Sequence, residues 1–225
     1  MPVSDVSPFL FRPGVAGPPS PRGKVLWEEV LYMIRIATEE DLGAILEIYR
    51  PFVEQSTASF EYAVPSMEAF TRRFQAITEK FPWIVWEEDG KVLGYAYGSA
   101  PFERPGYAWC AETSIYVCSD CHGKGIGKKL YAVLEALLFA MGYEVLYAIV
   151  TDENEGSLSF HRAVGYEQVA HLKNCGWKFG KSLGIVYLEK RAEFVGSPSE
   201  NPVPWPTFVE NAGNIATILD KITLS

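Results

Sequence analysis

The sequence predicts a mixed α/β fold in which a central, mostly antiparallel sheet carries helices on both faces. Short apolar strands and amphipathic helices alternate from Met33 onward. Two early strands are separated by Asp89-Gly90, a hairpin signal that makes them antiparallel. Later a strand, a long helix and an apolar strand follow one another, the order of a parallel crossover. Both patterns in one chain predict a mixed sheet.

The first half of this fold is predicted to contain two helices and four strands. Thr38 caps the first helix, whose opening turn is acidic, and Ser66 caps the second. The predicted strands are 33–36, 83–86, 92–97 and 109–118. The apolar helix faces are formed by Leu42, Ile45, Leu46, Tyr49 and Val53, and by Met67, Phe70, Phe74, Ile77 and Phe81.

The second half begins with glycine-rich residues 123–127, which lead into a long helix ended by Gly142. An apolar strand, 145–150, is predicted to be central, and the short helix 157–164 closes at Gly165. Two further strands are predicted near 167–173 and 183–190. The core-facing residues of the long helix are predicted to be Ile126, Leu130, Leu134, Leu137 and Met141.

The chain of 225 residues is long enough for one well-buried domain with terminal additions. Residues 1–32 are rich in Pro and Gly and predict a flexible N-terminal extension. Residues 33–192 form the predicted domain. Residues 193–225, with four prolines and a possible helix near 209–219, form a C-terminal extension to which the sequence gives no role.

Composition excludes several partners and sites. The net charge of -8 disfavours nucleic acid and anionic membranes as partners. No apolar run would cross a bilayer and the first residues do not form a signal peptide, so a cytoplasmic location is expected. The four cysteines do not form a disulfide framework. Cys118 and Cys121 make a single C-x-x-C without a second pair, so no metal site is expected.

The strongest functional signal is the glycine loop between a strand and a helix, with Gly123, Gly125 and Gly127 at alternate positions. Glycine lets the backbone approach a ligand, and a helix N-terminus presents unpaired N–H groups to an anion. The expected ligand is therefore a phosphate or pyrophosphate. A simple packing turn between strand and helix is the alternative that the loop alone leaves open.

Three phosphate-binding loops compete for this segment. A P-loop fails because His122 stands where its first Gly belongs and Lys129 follows Gly127-Lys128. A dinucleotide fingerprint fails because the spacing is G-x-G-x-G, in mid-chain and after antiparallel strands. The third is the acyl-CoA loop, [QR]-x-x-G-x-[GA] between a strand and a long helix. His122 departs from its usual Arg or Gln, a change that a site built from backbone should tolerate.

With its neighbouring motifs the chain resembles the GNAT superfamily, and within it the phosphinothricin and methionine-sulfone acetyltransferase group. The resemblance runs from about Met33 to Lys190. Besides the glycine loop, its marks are Arg35-Ile36-Ala37-Thr38-Glu39-Glu40-Asp41, Thr57-Ala58-Ser59-Phe60-Glu61, Gly94-Tyr95-Ala96-Tyr97, Ala111-Glu112-Thr113-Ser114-Ile115-Tyr116-Val117, Phe160-His161-Arg162-Ala163-Val164-Gly165-Tyr166 and Gly176-Trp177-Lys178-Phe179-Gly180.

The resemblance implies an acyl-CoA fold, acetyl-CoA as co-substrate and a homodimer. It implies that the strand backbone of Ile115, Tyr116 and Val117 binds the pantetheine arm, and that Asn154 bonds the pantetheine amides. For Asn154 a helix cap is the alternative. The pyrophosphate would lie on the backbone N–H groups of Gly123, Lys124, Gly125, Ile126, Gly127 and Lys128.

Acyl transfer to an ammonium at neutral pH requires a base, and a carboxylate is the expected group. Glu112 stands at the position of the family's proposed base; a surface glutamate on an edge strand is the alternative. His161 occupies the position at which many relatives have a tyrosine that protonates the departing thiolate. It is expected to be that acid, or to orient the substrate or Glu112; a half-buried structural histidine is the alternative. The backbone N–H of Val117 is the expected oxyanion donor.

The resemblance places Pro105, Gly106 and Tyr107 against the substrate, with Phe60 as either an apolar wall or a core residue. The chain departs from the family at Ser182 and Gly184, where an aromatic residue and an acid are usual. The amine therefore need not be the family's. An amino acid or phosphinothricin-like analogue is the leading substrate. A protein N-terminus or lysine, or an idle acyl-CoA-binding sensor, are the other functions considered.

Overall fold

The computed structural model describes residues 33–192 and 201–212. The predicted N-terminal extension and positions 193–200 and 213–225 of the C-terminal one lie outside these residues. The strands are β1 (Ile34–Ile36), β2 (Trp83–Glu88), β3 (Lys91–Ser99), β4 (Cys110–Val117), β5 (Val145–Thr151), β6 (Glu167–Lys178) and β7 (Lys181–Arg191). The helices are α1 (Leu42–Glu54), α2 (Met67–Thr78), α3 (Ile126–Ala140), α4 (Glu155–Ala163) and α5 (Trp205–Ala212).

The seven strands form one sheet in the order β1-β2-β3-β4-β5-β7-β6. Every neighbouring pair is antiparallel except β4 and β5, which are parallel. The predicted mixed, mostly antiparallel sheet is therefore confirmed. None of the helices in the described ranges is long and apolar enough to span a membrane.

Helices cover both faces of the sheet, each over its own hydrophobic cluster. On one face α1 and α2 pack over Trp83 and Tyr95. On the other face α3 and α4 pack over the apolar residues of β4 and β5, with Leu130, Leu134 and Leu137 fully buried. Because alternate strand residues point to opposite faces, β2, β3 and β4 contribute side chains to both clusters.

Several element boundaries differ from the sequence prediction. The first helix begins as a 3-10 turn, Glu39–Asp41, in which Thr38 and Asp41 form a capping box, and α1 starts only at Leu42. Met67 and Phe81 do not belong to the buried face of α2, because Met67 is exposed and the helix ends before Phe81. Strand β6 is longer than predicted and ends at Lys178, and strand β7 begins earlier, at Lys181. The reason is that the two strands form one long hairpin.

The sequence did not predict a disulfide, but the structure bonds Cys118 to Cys121. Residues Ser119–Cys121 form a 3-10 turn, which brings the Cα atoms of the two cysteines to 5.3 Å from each other. Cys110 and Cys175 are free thiols.

The C-terminal segment 201–212 packs against the core. Trp205 is buried, and its backbone N–H donates to the carbonyl oxygen of Lys80. Val203 N–H donates to the carbonyl oxygen of Met141, at the end of α3. The helix here starts at Trp205, earlier than the predicted start near residue 209. The segment therefore covers one edge of the hydrophobic cluster under α3 and α4.

We predict that Trp205→Ala lowers the free energy of unfolding by about 3–5 kcal/mol, the usual cost of removing a buried aromatic side chain. Chemical denaturation, monitored by far-ultraviolet circular dichroism, measures this change, because that signal does not depend on the removed tryptophan. Val203→Ala, in an exposed position of the same segment, is the control and should change the free energy by less than about 0.5 kcal/mol. Equal stability of the two variants would contradict the packing role of Trp205.

Candidate active site

The site is built where the two parallel strands separate. Strand β4 pairs with β5 only over Cys110–Glu112 and Val145–Tyr147. Beyond this point β4 stays paired with β3 as far as Val117, while β5 stays paired with β7 as far as Thr151. A gap therefore opens between β4 and β5, and one backbone edge of each strand faces it.

The hydrogen-bond directions along β4 show which amides face the gap. The N–H of Cys118 donates to Leu93 on β3. Because successive N–H groups of a strand point to opposite edges, the N–H groups of Val117 and Ile115 point away from β3, toward the gap. At the vertex, the hydroxyl of Thr113 donates to the carbonyl oxygen of Tyr147 at 3.0 Å. This side-chain bond takes the place of the ladder that has ended.

The gap continues into a cavity of about 610 Å³ that reaches the glycine loop. Gly123 and Gly125 both have φ of +80°, and a Cβ atom on either would meet nothing within 4 Å. The backbone of these two glycines is therefore uncovered on its cavity side, at the N-terminus of α3. All predicted cofactor residues except Lys124 line this cavity: Ile115, Tyr116, Val117, Gly123, Gly125, Ile126, Gly127, Lys128 and Asn154.

His122 and the disulfide fix the start of the glycine loop. The imidazole Nε2 of His122 lies 3.1 Å from the carbonyl oxygen of Val117, so its N–H closes back on the end of β4. Cys121 is buried beneath the loop and lines the cavity. The histidine that replaces the usual Arg or Gln therefore anchors the loop.

Asn154 acts as the N-cap of α4. Its Oδ1 accepts a hydrogen bond from the N–H of Ser157 at 3.1 Å. The capping alternative is therefore present in the structure. Since the cap uses only Oδ1 and Asn154 also lines the cavity, the side-chain NH₂ group is left to serve a ligand.

Glu112 lies on the opposite face of β4 from Thr113, at the last pair before the strands separate. It is partly buried, and burial raises the pKa of its carboxyl above the ordinary range. Because the shift comes from desolvation without a nearby cation, the carboxylate is more basic than a surface glutamate. The alternative of an ordinary surface glutamate does not fit this environment.

His161 is buried on α4, with both ring nitrogens close to protein groups. Nδ1 lies 2.8 Å from the carbonyl oxygen of Ser157, and Nε2 lies 2.9 Å from the hydroxyl of Tyr131. Only an N–H bonds a carbonyl, which assigns the proton to Nδ1. Burial lowers the pKa of His161, and the Ser157 contact opposes this only in part, which favours a neutral ring.

Tyr131 connects His161 to the vertex of the gap. Its hydroxyl lies 2.5 Å from Oγ1 of Thr113, to which the hydroxyl of Tyr166 is also close, at 3.3 Å. Thr113 and Tyr131 were not among the predicted site residues. A threonine at a buried position of an alternating strand was the signal in the sequence for Thr113; nothing local distinguishes Tyr131 from a core residue.

A latch, which sequence reasoning missed, joins the β6–β7 hairpin to the last turn of α1 and to the loop after it. Lys178 is 2% exposed, and its ammonium donates to the carbonyl oxygens of Val53 and Ser59 at 2.7 and 2.6 Å. Phe60 packs on Gly176, where a Cβ atom would collide with its ring. Phe60 is thus a packing residue of this latch, and Ala58 in the same loop lines the cavity.

The predicted substrate segment Pro105, Gly106 and Tyr107 forms a 3-10 turn between β3 and β4. The ring of Tyr107 lies 4.7 Å from that of Phe102, and Phe102 lies 5.9 Å from Tyr147, the strand partner of Glu112. The rings of Tyr107 and Phe102 therefore lie on the same face of the sheet as Glu112. Pro105 and Gly106 are exposed.

Comparisons with known proteins agree with this geometry. The family described as "Acetyltransferase (GNAT) domain" matches residues 34–184. A phosphinothricin N-acetyltransferase of Alcaligenes faecalis is 36% identical over 159 residues, covering 70% of this chain and 81% of the relative. An L-methionine sulfoximine/L-methionine sulfone acetyltransferase of Pseudomonas paraeruginosa is 34% identical over 160 residues, covering 69% and 92%.

A solved structure is similar over nearly its whole length. The phosphinothricin acetyltransferase of Sinorhizobium meliloti, in complex with AcCoA, is 34% identical with a TM-score of 0.72. The match covers 78% of this chain and 97% of that one.

We predict that Gly125→Val abolishes measurable acetyl-CoA binding while the protein stays folded. The new side chain would occupy the open space over the loop amides, and its β-branch would strain a backbone at φ of +80°. Isothermal titration calorimetry measures the affinity. Gly180→Val is the matched control: its φ is +71°, it also has open space, and it lies at the tip of the β6–β7 hairpin. Unchanged affinity in folded Gly125→Val would contradict the assignment of the loop.

Proposed function

The chain belongs to the GNAT family of acetyl-CoA-dependent N-acetyltransferases, and from this premise we propose that it transfers an acetyl group to the amine of a small molecule, with Glu112 as the general base. The leading substrate is an amino acid or a phosphinothricin-like analogue. The observation that carries the proposal is the position of Glu112, which lies partly buried at the vertex of the gap between β4 and β5.

The residues around the gap fit acetyl-CoA. The free edge of β4 offers the N–H groups of Ile115 and Val117 to an extended amide chain, as an added strand would use them. The bare backbone of the glycine loop suits a pyrophosphate at the N-terminus of α3. When bound there, the co-substrate would supply an activated acetyl thioester.

Glu112 is proposed to remove the proton from the substrate ammonium. A base must be ionised at the working pH and yet hold the proton well, and burial gives this carboxylate a raised pKa. The N–H of Val117 is proposed to stabilise the negative charge that develops on the acetyl oxygen. Its direction toward the gap supports this role, which requires a fixed donor in a dry site.

For His161 we propose a positioning role rather than transfer of a proton to the thiolate. Both of its ring nitrogens already contact protein groups, Ser157 and Tyr131. Its lowered pKa also leaves the ring neutral, and its single proton, on Nδ1, is donated to the carbonyl oxygen of Ser157. The ring thereby connects α4, which carries one wall of the cavity, to Thr113 at the vertex.

We predict that Glu112→Gln lowers kcat roughly 10²–10⁴-fold, the usual range for loss of a general base. Acetyl-CoA affinity should change less than twofold, because the proposed contacts are made by backbone. The acidic limb of the wild-type pH–rate profile should lie above the ordinary glutamate range, because the pKa is raised. This limb should vanish in the variant, and high pH should partly restore its rate. Steady-state release of CoA thiol, measured from pH 5 to 10, tests these outcomes.

Glu88→Gln, in an exposed position at the end of β2, is the control and should retain the wild-type rate. A Glu112→Gln rate within threefold of wild type, with chemistry rate-limiting, would falsify the base assignment. A large loss that high pH does not restore would instead make Glu112 an anchor for the amine. Acetylation of an N-terminal peptide in preference to every small amine would favour a protein substrate.

The same residue allows a stability test with a definite sign. A carboxyl with a raised pKa favours the folded state when protonated, so its contribution is present at low pH and is lost as pH rises through the folded pKa. The glutamine of Glu112→Gln cannot ionise, so the variant does not lose stability as the pH rises. Its free energy of unfolding at pH 7 should therefore exceed that of the wild type. Urea denaturation at pH 4 and pH 7 measures it; a variant less stable at pH 7 would contradict the desolvation of Glu112.

We predict that His161→Gln lowers thermal stability and acetyl-CoA affinity but keeps both limbs of the kcat profile. A positioning residue changes binding geometry, whereas a general acid defines the alkaline limb. Tyr131→Phe removes the hydroxyl that contacts both Nε2 of His161 and Oγ1 of Thr113, and it should reproduce part of the affinity loss. Disappearance of the alkaline limb in His161→Gln alone would identify the histidine as the acid.

A further inference from the structure

Next to Glu112, on the side of the sheet away from α3, aromatic rings form an open wall. Phe102 and Tyr107 are 39% and 47% exposed although their rings are in contact at 4.7 Å. Phe102 meets Tyr147 edge-on at 5.9 Å, and Tyr147 meets Tyr187 edge-on at 6.4 Å. We call these four residues the aromatic wall.

Strand alternation places this wall beside the proposed base. The neighbours of Tyr147, Leu146 and Ala148, are buried in the cluster under α3, so the Tyr147 side chain lies on the other face. Glu112 lies on that same face and is the direct strand partner of Tyr147. An amine held at Glu112 therefore has its remaining atoms within reach of the wall.

The electrostatics of this surface disfavour an anionic substituent. Besides Glu112, the wall adjoins the Glu189 carboxylate, to which the Tyr147 hydroxyl is bonded, and burial together with this contact raises the pKa of Tyr147 to about 12. The Arg191 guanidinium that faces Glu189 is already bound to it, at 2.6 and 3.1 Å. An anion here would meet carboxylates and ring faces, which favour cations and apolar groups.

Two further cations near this side of the sheet are also engaged. Arg73 is paired with Glu61, and the ammonium of Lys178 is buried against two carbonyl oxygens. Arg104 precedes the 3-10 turn that carries Tyr107 and is exposed. As a described cation close to the turn, it is the residue that we test as the holder of a substrate anion.

We propose that the acceptor amine carries an aromatic or similarly flat apolar group, which packs on the aromatic wall, and that Phe102 and Tyr107 determine this specificity. The inference rests on the proposed acetyltransferase function and names its substrate class. Because this surface disfavours an anionic group, that class departs from the amino acid or phosphinothricin-like analogue that the family resemblance implies. Phe102 and Tyr107 lie outside the regular strands, on a loop, while Tyr147 and Tyr187 are fixed on β5 and β7. The loop residues therefore set the shape of the site and the strand residues form its base.

The test compares 2-phenylethylamine with 3-aminopropionate, which place a phenyl ring or a carboxylate at the same distance from the nitrogen, and uses propylamine as a small neutral reference. Wild-type kcat/KM for 2-phenylethylamine should exceed that for 3-aminopropionate by about tenfold or more. Phe102→Ala should lower the value for 2-phenylethylamine about tenfold, the size expected from one aromatic contact and its buried area. It should leave propylamine within about twofold.

Tyr107→Ala should show the same selective loss and serves as a second variant in case Phe102→Ala unfolds, which circular dichroism detects. Val169→Ala removes an exposed apolar side chain on β6 and should leave kcat/KM for all three amines unchanged. Equal losses for 2-phenylethylamine and propylamine would overturn the specificity role. A preference for 3-aminopropionate or phosphinothricin that Arg104→Ala removes would overturn the substrate class while leaving the acetyltransferase function intact. Acetyl-CoA binding without acetylation of any amine would defeat both proposals.

Discussion

The site depends on one constraint: two parallel strands that pair for three residues and then separate. After Glu112 and Tyr147 the ladder between β4 and β5 ends, and the antiparallel partners β3 and β7 hold the two strands apart. Unpaired backbone inside a protein is costly, so such an edge persists where a side chain, water or a ligand satisfies it. Thr113 does so at the vertex, and the cavity lies beyond it.

Strand alternation then divides the chemistry between the two faces of β4. Thr113 points toward α3 and α4 and enters a buried network with Tyr131 and His161. Glu112 points the other way, toward the aromatic rings of the opposite face. The members of the polar network contact one another within the protein and favour rigidity, whereas the carboxylate is desolvated and favours reactivity. A shift of register by one residue would exchange the two roles.

Peripheral contacts keep the walls of the gap in place. Lys178 joins the β6–β7 hairpin to the last turn of α1 and to the loop after it. Trp205 closes the far edge of the cluster under α3 and α4. A buried ammonium held by two carbonyl oxygens is expensive to break, because removal of one partner leaves an unsatisfied charge or carbonyl. Both contacts lie outside the gap itself, and both connect segments more than 60 residues apart.

The sequence by itself determined the order and type of the elements, because apolar periodicity, the caps Thr38 and Ser66 and the turn Asp89-Gly90 are local signals. It also located the glycine loop and Glu112, although their roles came from resemblance to a family rather than from spacing. Only the tertiary structure decided which neighbours each residue meets. The bond from Thr113 to Tyr147, the network at His161 and the latch at Lys178 join residues that are distant in sequence. Their geometry follows from strand register and helix packing, which no local pattern encodes.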